Sequence, residues 1–460
     1  TAGDRILDPF GGSGVTAIEA FLENRVGIQN DINPLANFIA KSVVDLAKGN
    51  KADYAAALRN LKDRCQKWLE EVQYADERAL VKLERGLNFP DNVELPSTAD
   101  VNRYYDLFSK RQLLSLAILK NAIDNVKPAS AKNGLLLAWS ATLTKLNKTF
   151  LSAKGRTESR GGSSIFSIYR YKVAKQPIEL PAWETFQERA TNVIAAKAEI
   201  EKAIEIKQMT GGWRGACEFY ATDITDLEEQ LKGSIDYIFT DPPYGAHISY
   251  LDLSTLWNVW LGLAPSMKAR QRELIVGGEL NHSEELYTAR LSDSVRSCVN
   301  MLEKGGWLSI VFQHWRVSYF EAILTGAAEA GAELKAAISQ VGDPIWSMHK
   351  KKGNQSVLAG ELILTFLKTE RPQHVQNNRQ LDVVGTVGEI LKSAPEVVYG
   401  EHLFNQLVME AWRQSAIGSL DISRDDFSKI IAYHGWNYDK NRHYWIRDKG
   451  LAISPMLWKA

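Results

Sequence analysis

The sequence predicts an α/β fold with a parallel sheet, interrupted by a large helical insertion and followed by a small α+β module. Three observations predict it. Strand, glycine-rich turn, helix and second strand follow one another within the first 31 residues. Apolar strand signals return after residue 215. Two of the strands run directly into chemically loaded turns, DPFGGSG at 8–14 and DPPYG at 241–245. A βαβ unit joins parallel strands through a crossover helix, and such sheets are covered by helices.

Arg5–Leu7 begins the first strand, Gly11–Gly14 turns, Val15–Glu23 carries helix formers, and Val26–Gln29 is the second strand, ending at Asn30-Asp31. From Lys41 to Gly212 the periodicity is mostly helical. Phe186, Ala190, Val193, Ala196, Ile200 and Ile204 fall at steps of three and four, on one face of a long helix. Leu135–Leu146 is a further helix. Strands are expected at Glu218–Tyr220, Ile235–Phe239, Trp307–Phe312 and Glu361–Leu367. One sheet split by an insertion of about 170 residues is the simplest account, because the first block alone is too small to close a sheet. The expected division is a first core part at 1–44, a helical insertion at 45–215, a second core part at 216–370 and a C-terminal module at 371–460. That module opens on the polar HVQNNRQL. It has helices at Val387–Leu391, Glu401–Ser415 and Arg424–His434 and a strand at Tyr444-Trp445-Ile446, in the manner of a winged helix.

The chain has 460 residues, 45% hydrophobic and 24% charged, which excludes wholesale disorder. Its 55 basic and 55 acidic residues cancel, so bulk charge does not favour a nucleic-acid partner. Cys65, Cys217 and Cys298 lie far apart and form neither a disulfide framework nor a zinc knuckle; a reducing compartment and no bound metal are expected. No apolar run approaches the ~18 residues that cross a bilayer. The start, TAGDRILDPF, has neither Met nor a signal peptide and reads as a fragment or processed chain.

Glycines at 11, 12 and 14 let the backbone approach a ligand, and the following helix offers free N–H groups. Asp31, 23 residues after Asp8, stands where a carboxylate holds the two hydroxyls of a ribose. The loop lacks the Lys-Ser/Thr pair of a phosphate loop, so a nucleoside fits it better. A turn that only closes the βαβ unit is the competing reading. Asp223 follows the third strand and is a candidate for an adenine amino group, or a plain strand-end aspartate. At the second turn, Pro242 and Pro243 fix the backbone and give no N–H, leaving carbonyl acceptors beside the Asp241 carboxylate. Tyr244 offers a stacking face. Acceptors for an amine next to an aromatic ring suit a nucleobase taken out of its stack.

With these residues in place, DPFGGSG and DPPYG resemble the cofactor and catalytic motifs of the S-adenosylmethionine-dependent amino-methyltransferases. More narrowly, the chain is similar to bacterial adenine-specific N4/N6 DNA methylases, including a subfamily with a zinc ribbon. Further similar stretches are NDINPLANFIAK (30–41), DLFSKRQLLSLAIL (106–119), GGSSIFSIYRYKVAKQPIELPAWETF (161–186), TDPPYGAHISYLDLSTLWNVWLG (240–262) and GGWLSIVFQHW (305–315). They are spread from residue 4 to about 370, so the resemblance covers about four fifths of the chain, and the last 90 or so residues match no family.

The resemblance implies a Rossmann-like class I methyltransferase core, S-adenosylmethionine as cofactor and DNA as substrate, in a bacterial cytoplasm. It places Asp8, Phe10, Gly11, Gly12, Ser13, Gly14, Asp31, Ile32 and Asp223 around the cofactor and Asp241, Pro242, Pro243 and Tyr244 at the target amine. The segment that precedes the first strand in the family is absent here, and no cysteine ribbon is present. The DPPY turn is associated most with adenine N6, but it leaves cytosine N4, and guanine N2 in RNA, open. A non-catalytic DNA-binding subunit is the alternative, and the long insertion suggests other subunits of a restriction or phage-defence system.

Between 145 and 175 eight basic residues face one acid, a net charge of +7 interleaved with Phe150, Phe166, Tyr169 and Tyr171. Arg156, Arg160, Arg170 and Lys172 are candidate nucleic-acid contacts, with Lys351 of the KKKGN segment a further one. A solvated charged loop is the rival reading. His247, His314, Trp257, Trp260 and Trp315 read as pocket wall or core.

Overall fold

The structure, a computed structural model, describes residues 1–151, 162–246, 248–340, 361–369, 371, 375, 377, 379–399, 401–439 and 444–448. Two compact units account for them: 1–223 with 246–282, and 224–245 with 283–460.

The first unit holds β1 (Arg5–Asp8), β2 (Val26–Asn30), a short antiparallel pair β3 (Phe150–Leu151) and β4 (Gly162–Ser163), and β5 (Ala216–Tyr220). β5, β2 and β1 lie side by side and parallel, with Leu7 opposite Ile28 and Ile28 opposite Glu218. The helix Val15–Leu22 carries the chain from β1 back to β2. It packs so closely that a Cβ on Gly27 would stand 2.0 Å from the Ala17 carbonyl oxygen.

The helical region behaves as the periodicity predicts, with one exception. In the helix Ala182–Gly211, Phe186, Ala190, Val193 and Ile204 are buried, but Ala196 is exposed and its neighbour Lys197 is 1% exposed instead. The Lys197 stem lies against the core, while its ammonium donates to the Leu46 and Gly49 carbonyls at 2.7 and 2.6 Å. It thereby caps the C-terminal end of the helix Pro34–Lys48, where free carbonyls favour a cation.

Residues 246–282 belong to this unit because two buried tyrosines hold them. The Tyr104 hydroxyl donates to the Leu256 carbonyl at 2.5 Å. The Tyr171 hydroxyl donates to the Leu253 carbonyl at 2.6 Å and accepts from the Leu256 N–H at 2.9 Å. Trp257 donates to the Ser140 carbonyl at 2.9 Å and, like Trp260, is core.

The second unit holds β6 (Ile235–Thr240), β7 (Leu302–Phe312), β8 (Ala332–Gln340), β9 (Glu361–Lys368), β10 (Val397–Tyr399), β11 (Trp436–Asp439) and β12 (Tyr444–Arg447). β6 and β7 are parallel, and β9 runs antiparallel between β7 and β8. The sequence did not point to β8: AELKAAISQ is rich in helix formers, and as the last strand of this order it carries few buried side chains. Helices Val383–Ser393, His402–Arg413 and Arg424–Tyr433 pack with the antiparallel sheet β10-β12-β11. This helix, strand, two helices and two strands follow the order of a winged helix. Trp315 is half-buried and sits against Phe404 with ring centroids 4.3 Å apart.

A tight constraint on the first unit is the approach of Gly27 to Ala17. Gly27→Ala is expected to lower stability by about 1–3 kcal/mol, read as a lower urea midpoint at unchanged slope.

Candidate functional site

The glycine loop leaves β1 at Asp8, which is 7% exposed. Its carboxylate accepts from the Thr16 hydroxyl at 2.9 Å and the Phe10 N–H at 3.2 Å, tying the loop to the helix that follows. Asp8 thus helps to hold the turn. The Gly11 N–H donates to the Asn30 carbonyl at 2.9 Å, and the Gly14 N–H to the Gly11 carbonyl at 2.8 Å. A Cβ on Gly11 would collide with Gln29 Oε1 at 2.1 Å, and one on Gly14, at φ +87°, with Ala40 Cβ at 2.5 Å. Gly12, at φ +52°, faces open space. Ser13 is exposed, and Phe10 and Ile32 are half-buried beside it.

Asp31 closes this loop. Its carboxylate accepts from the Gly12 N–H at 2.9 Å and the Asn33 N–H at 2.7 Å, one on each oxygen. Each oxygen keeps a second lone pair for a ligand hydroxyl. Burial pushes the carboxyl up to about 6, against the pull of those two N–H donors. Asp223 also lies in this unit, and its carboxylate is 3.3 Å from Arg272 Nη1.

Sequence reasoning missed Arg272 and its surroundings. Arg270 bridges Asp252 and Glu279 at 3.2 and 2.7 Å. Glu273, 9% exposed, accepts from the Leu251 N–H at 3.1 Å. Burial, and to a lesser degree the charges of Asp252 and Asp31, push its carboxyl up to about 7. The string ARQRE reads as an ordinary solvated helix, and no spacing marks it.

The proline turn belongs to the second unit. β6 delivers an exposed Asp241, a buried Pro242, and half-buried Pro243 and Tyr244 at its carboxyl end. The Tyr244 hydroxyl donates to Asp241 Oδ1. Its ring meets Phe312 edge-on, with centroids 5.2 Å apart and an interplanar angle of 86°. The expectation of open carbonyls fails at Pro243, whose carbonyl accepts from the Tyr287 hydroxyl. Gly245 turns at φ +69°, and a Cβ there would meet Tyr319 at 3.3 Å and His314 Nε2 at 3.6 Å. The Tyr287 and Tyr319 rings meet at a tilt of 56° with centroids 4.7 Å apart, and burial raises both hydroxyls, Tyr319 to about 12, so both stay protonated donors. His314 Nδ1 accepts from the Arg316 N–H at 2.9 Å, which puts the proton of a neutral ring on Nε2.

Of the expected nucleic-acid contacts, Arg156, Arg160 and Lys351 lie outside the described residues, as does His247. Arg170 is paired with Asp100, and Lys172 is exposed. Among the described residues no three His, Cys, Asp or Glu side chains gather as a metal site, and no helix is long and apolar enough to cross a membrane.

No family model matches the chain. It is similar to a type II methyltransferase. That relative, M.MvaI of Kocuria varians, is 22% identical over 264 residues, which cover 56% of this chain and 51% of the relative. The chain thus spans about half the length of the curated relative it matches. A solved structure from Thermus thermophilus, described as a proposed DNA modification methylase, overlaps 36% of this chain and 61% of its own at 16% identity and TM-score 0.19. A 16S rRNA adenine-N1 methyltransferase from Catenulisporales acidiphilia overlaps 39% and 75% at 16% identity and TM-score 0.20. Superpositions this loose carry no argument about the chain.

The raised Asp31 and Glu273 carboxyls have a pH signature. A folded-state value above the unfolded one means that the native state binds the extra proton, so stability present near pH 4 is lost as pH rises through about 6 and 7. Asp31→Asn and Glu273→Gln should each flatten the fall in melting temperature between pH 5 and 8 relative to the parent chain.

Proposed function

We propose that the chain is an S-adenosylmethionine-dependent methyltransferase acting on the exocyclic amine of a DNA base, adenine N6 in the first instance. The observation that carries the reading is the turn Asp241–Tyr244, where a carboxylate, two prolines and a braced aromatic ring end a parallel strand. Ligands of open α/β sheets bind at the carboxyl ends of strands. The similarity to a type II methyltransferase supports a methyl transfer.

The first unit suits the cofactor. Gly11 and Gly14 sit where any side chain would clash, and Gly12 faces open space, so a ligand can lie against bare backbone. The Asp31 carboxylate, with a lone pair left on each oxygen, would hold the ribose hydroxyls, and it does so best ionised, above about pH 6. Asp223 would meet the adenine amino group only by sharing its carboxylate with Arg272. When bound, the cofactor supplies an activated methyl group that passes directly to the amine nitrogen, its sulfur keeping the electron pair of the broken bond.

The protein's part is orientation and charge. Asp241 and the Pro242 carbonyl accept from the target amine and stabilise the positive charge that develops on nitrogen. Tyr244, held square to Phe312, stacks on the base. The amine's surplus proton leaves to Asp241 or to water. None of the three cysteines sits in a Pro-Cys loop, so a covalent cytosine C5 route has no nucleophile.

The test is incubation with labelled cofactor and mixed DNA, followed by mass spectrometry of the bases. Label in N6-methyladenine is the expected outcome; label in another base redirects the substrate, and no label removes the reading. Asp241→Ala should cost about 10²–10³-fold in turnover while cofactor affinity stays within a few-fold of the parent.

A further inference from the structure

The first unit contains an apolar cavity of about 680 Å³ that neither motif uses. Ile39, Leu137, Val193 and Trp257 form its walls, and Phe166 and Tyr250 stand among its lining residues. Phe166 is 60% exposed and Tyr250 48% exposed, unusual for rings of this size. Phe166 also lies against Trp257, with centroids 5.9 Å apart. Tyr169, in the same lining, holds φ +53°, a left-handed backbone that is strained for a bulky side chain and that clusters at ligand clamps.

Four polar side chains of the lining are turned to nearby backbone. Ser140, Thr144 and Ser254 donate to the Leu137, Ala141 and Leu251 carbonyls at 2.8, 2.7 and 2.9 Å. The Asn33 carbonyl oxygen of the side chain accepts from the Leu35 N–H at 3.1 Å. The cavity therefore offers mainly flat apolar faces and shape, with Asn192 and Arg189 as further polar side chains in its lining. It has no counterpart of the Asp241 carboxylate for an amine. Its cationic side is Arg189 in the wall, which stands 3.6 Å from Glu188, with Lys172 exposed on the segment that carries Phe166 and Tyr169.

We propose that this cavity takes one unstacked nucleobase of the nucleic-acid substrate, a base other than the one that is methylated. The inference rests on the nucleic-acid reading above and adds a second base site to it. An aromatic heterocycle on an anionic backbone matches the occupant in both respects: the ring enters between Phe166 and Tyr250, and the phosphates stay outside near the cations. Stacking without edge contacts accepts any base, because every base has a flat π face. The site thus contributes affinity and register, and the sequence preference comes from elsewhere.

The experiment uses a 12-residue single-stranded DNA carrying one 5-iodouracil, an otherwise identical strand with an abasic residue at that position, and the full chain. Light-induced crosslinks are mapped by peptide mass spectrometry, and affinities are measured by fluorescence anisotropy. Crosslinks in peptides containing Phe166, Tyr250 or Trp257, with about 10-fold weaker binding of the abasic strand and of the Phe166→Ala/Tyr250→Ala double variant, are expected. Both rings are exposed enough for that variant to keep its fold, which circular dichroism checks. Undiminished binding by the folded double variant, or crosslinks that map elsewhere, overturns the cavity as a base site while leaving the nucleic-acid reading standing. No binding of either strand by the parent chain overturns both.

Discussion

Three consecutive side chains at the end of β2 hold the glycine loop in place. Gln29 donates to the Gly12 carbonyl, Asn30 to the Pro9 carbonyl, and Asp31 accepts from the Gly12 N–H. Asn30 also exchanges two bonds with the backbone of Thr222, at 3.1 and 3.2 Å, so that β1, β2 and the segment after β5 share one knot. Asn30 is 1% exposed, and losing it would leave several buried backbone groups unmatched. The candidate ligand residues stand on this polar lattice, and its rigidity is what lets three glycines occupy defined positions.

The proline turn is stiffened in another way. Its backbone has few N–H groups to anchor, so neighbouring rings do the anchoring. Tyr287 reaches the Pro243 carbonyl, Phe312 supports Tyr244, and Tyr319 and His314 crowd Gly245. The exposed Asp241 accepts from the Tyr244 hydroxyl, a bond that a target amine would displace or share. An exposed carboxylate at the tip of a rigid apolar cradle is an inexpensive arrangement, since the charge stays solvated until a substrate arrives.

How much of this was legible in the sequence depends on whether the signal was local. The βαβ start, the long helix Ala182–Gly211 and β6 were legible because each carries its own period and punctuation. DPPYG marked its turn because proline, glycine and an aromatic are rare together. Lys197 was not legible: its burial depends on the carbonyl ends of a helix 150 or so residues earlier, which no window contains. β8 failed because partner strands decide an edge strand more than its own residues do. Arg272 and Glu273 have meaning only through Asp223 and Leu251, reached by tertiary packing.

The clasp of Tyr104 and Tyr171 on residues 253–256 has a consequence for biogenesis. Those hydroxyls find their partners 152 and 82 residues downstream. During synthesis the first unit therefore emerges with two buried hydroxyl sites unfilled, and it waits through the whole of β6 and the proline turn before the closing segment arrives. Contacts of such sequence separation slow folding and extend the time in which apolar surface is open to chaperones or to neighbours. A nascent chain stopped before residue 250 has the glycine loop and its fastening but not the segment that fills the two tyrosine sites. The order of translation, as well as the final packing, thus governs when the core of the first unit closes.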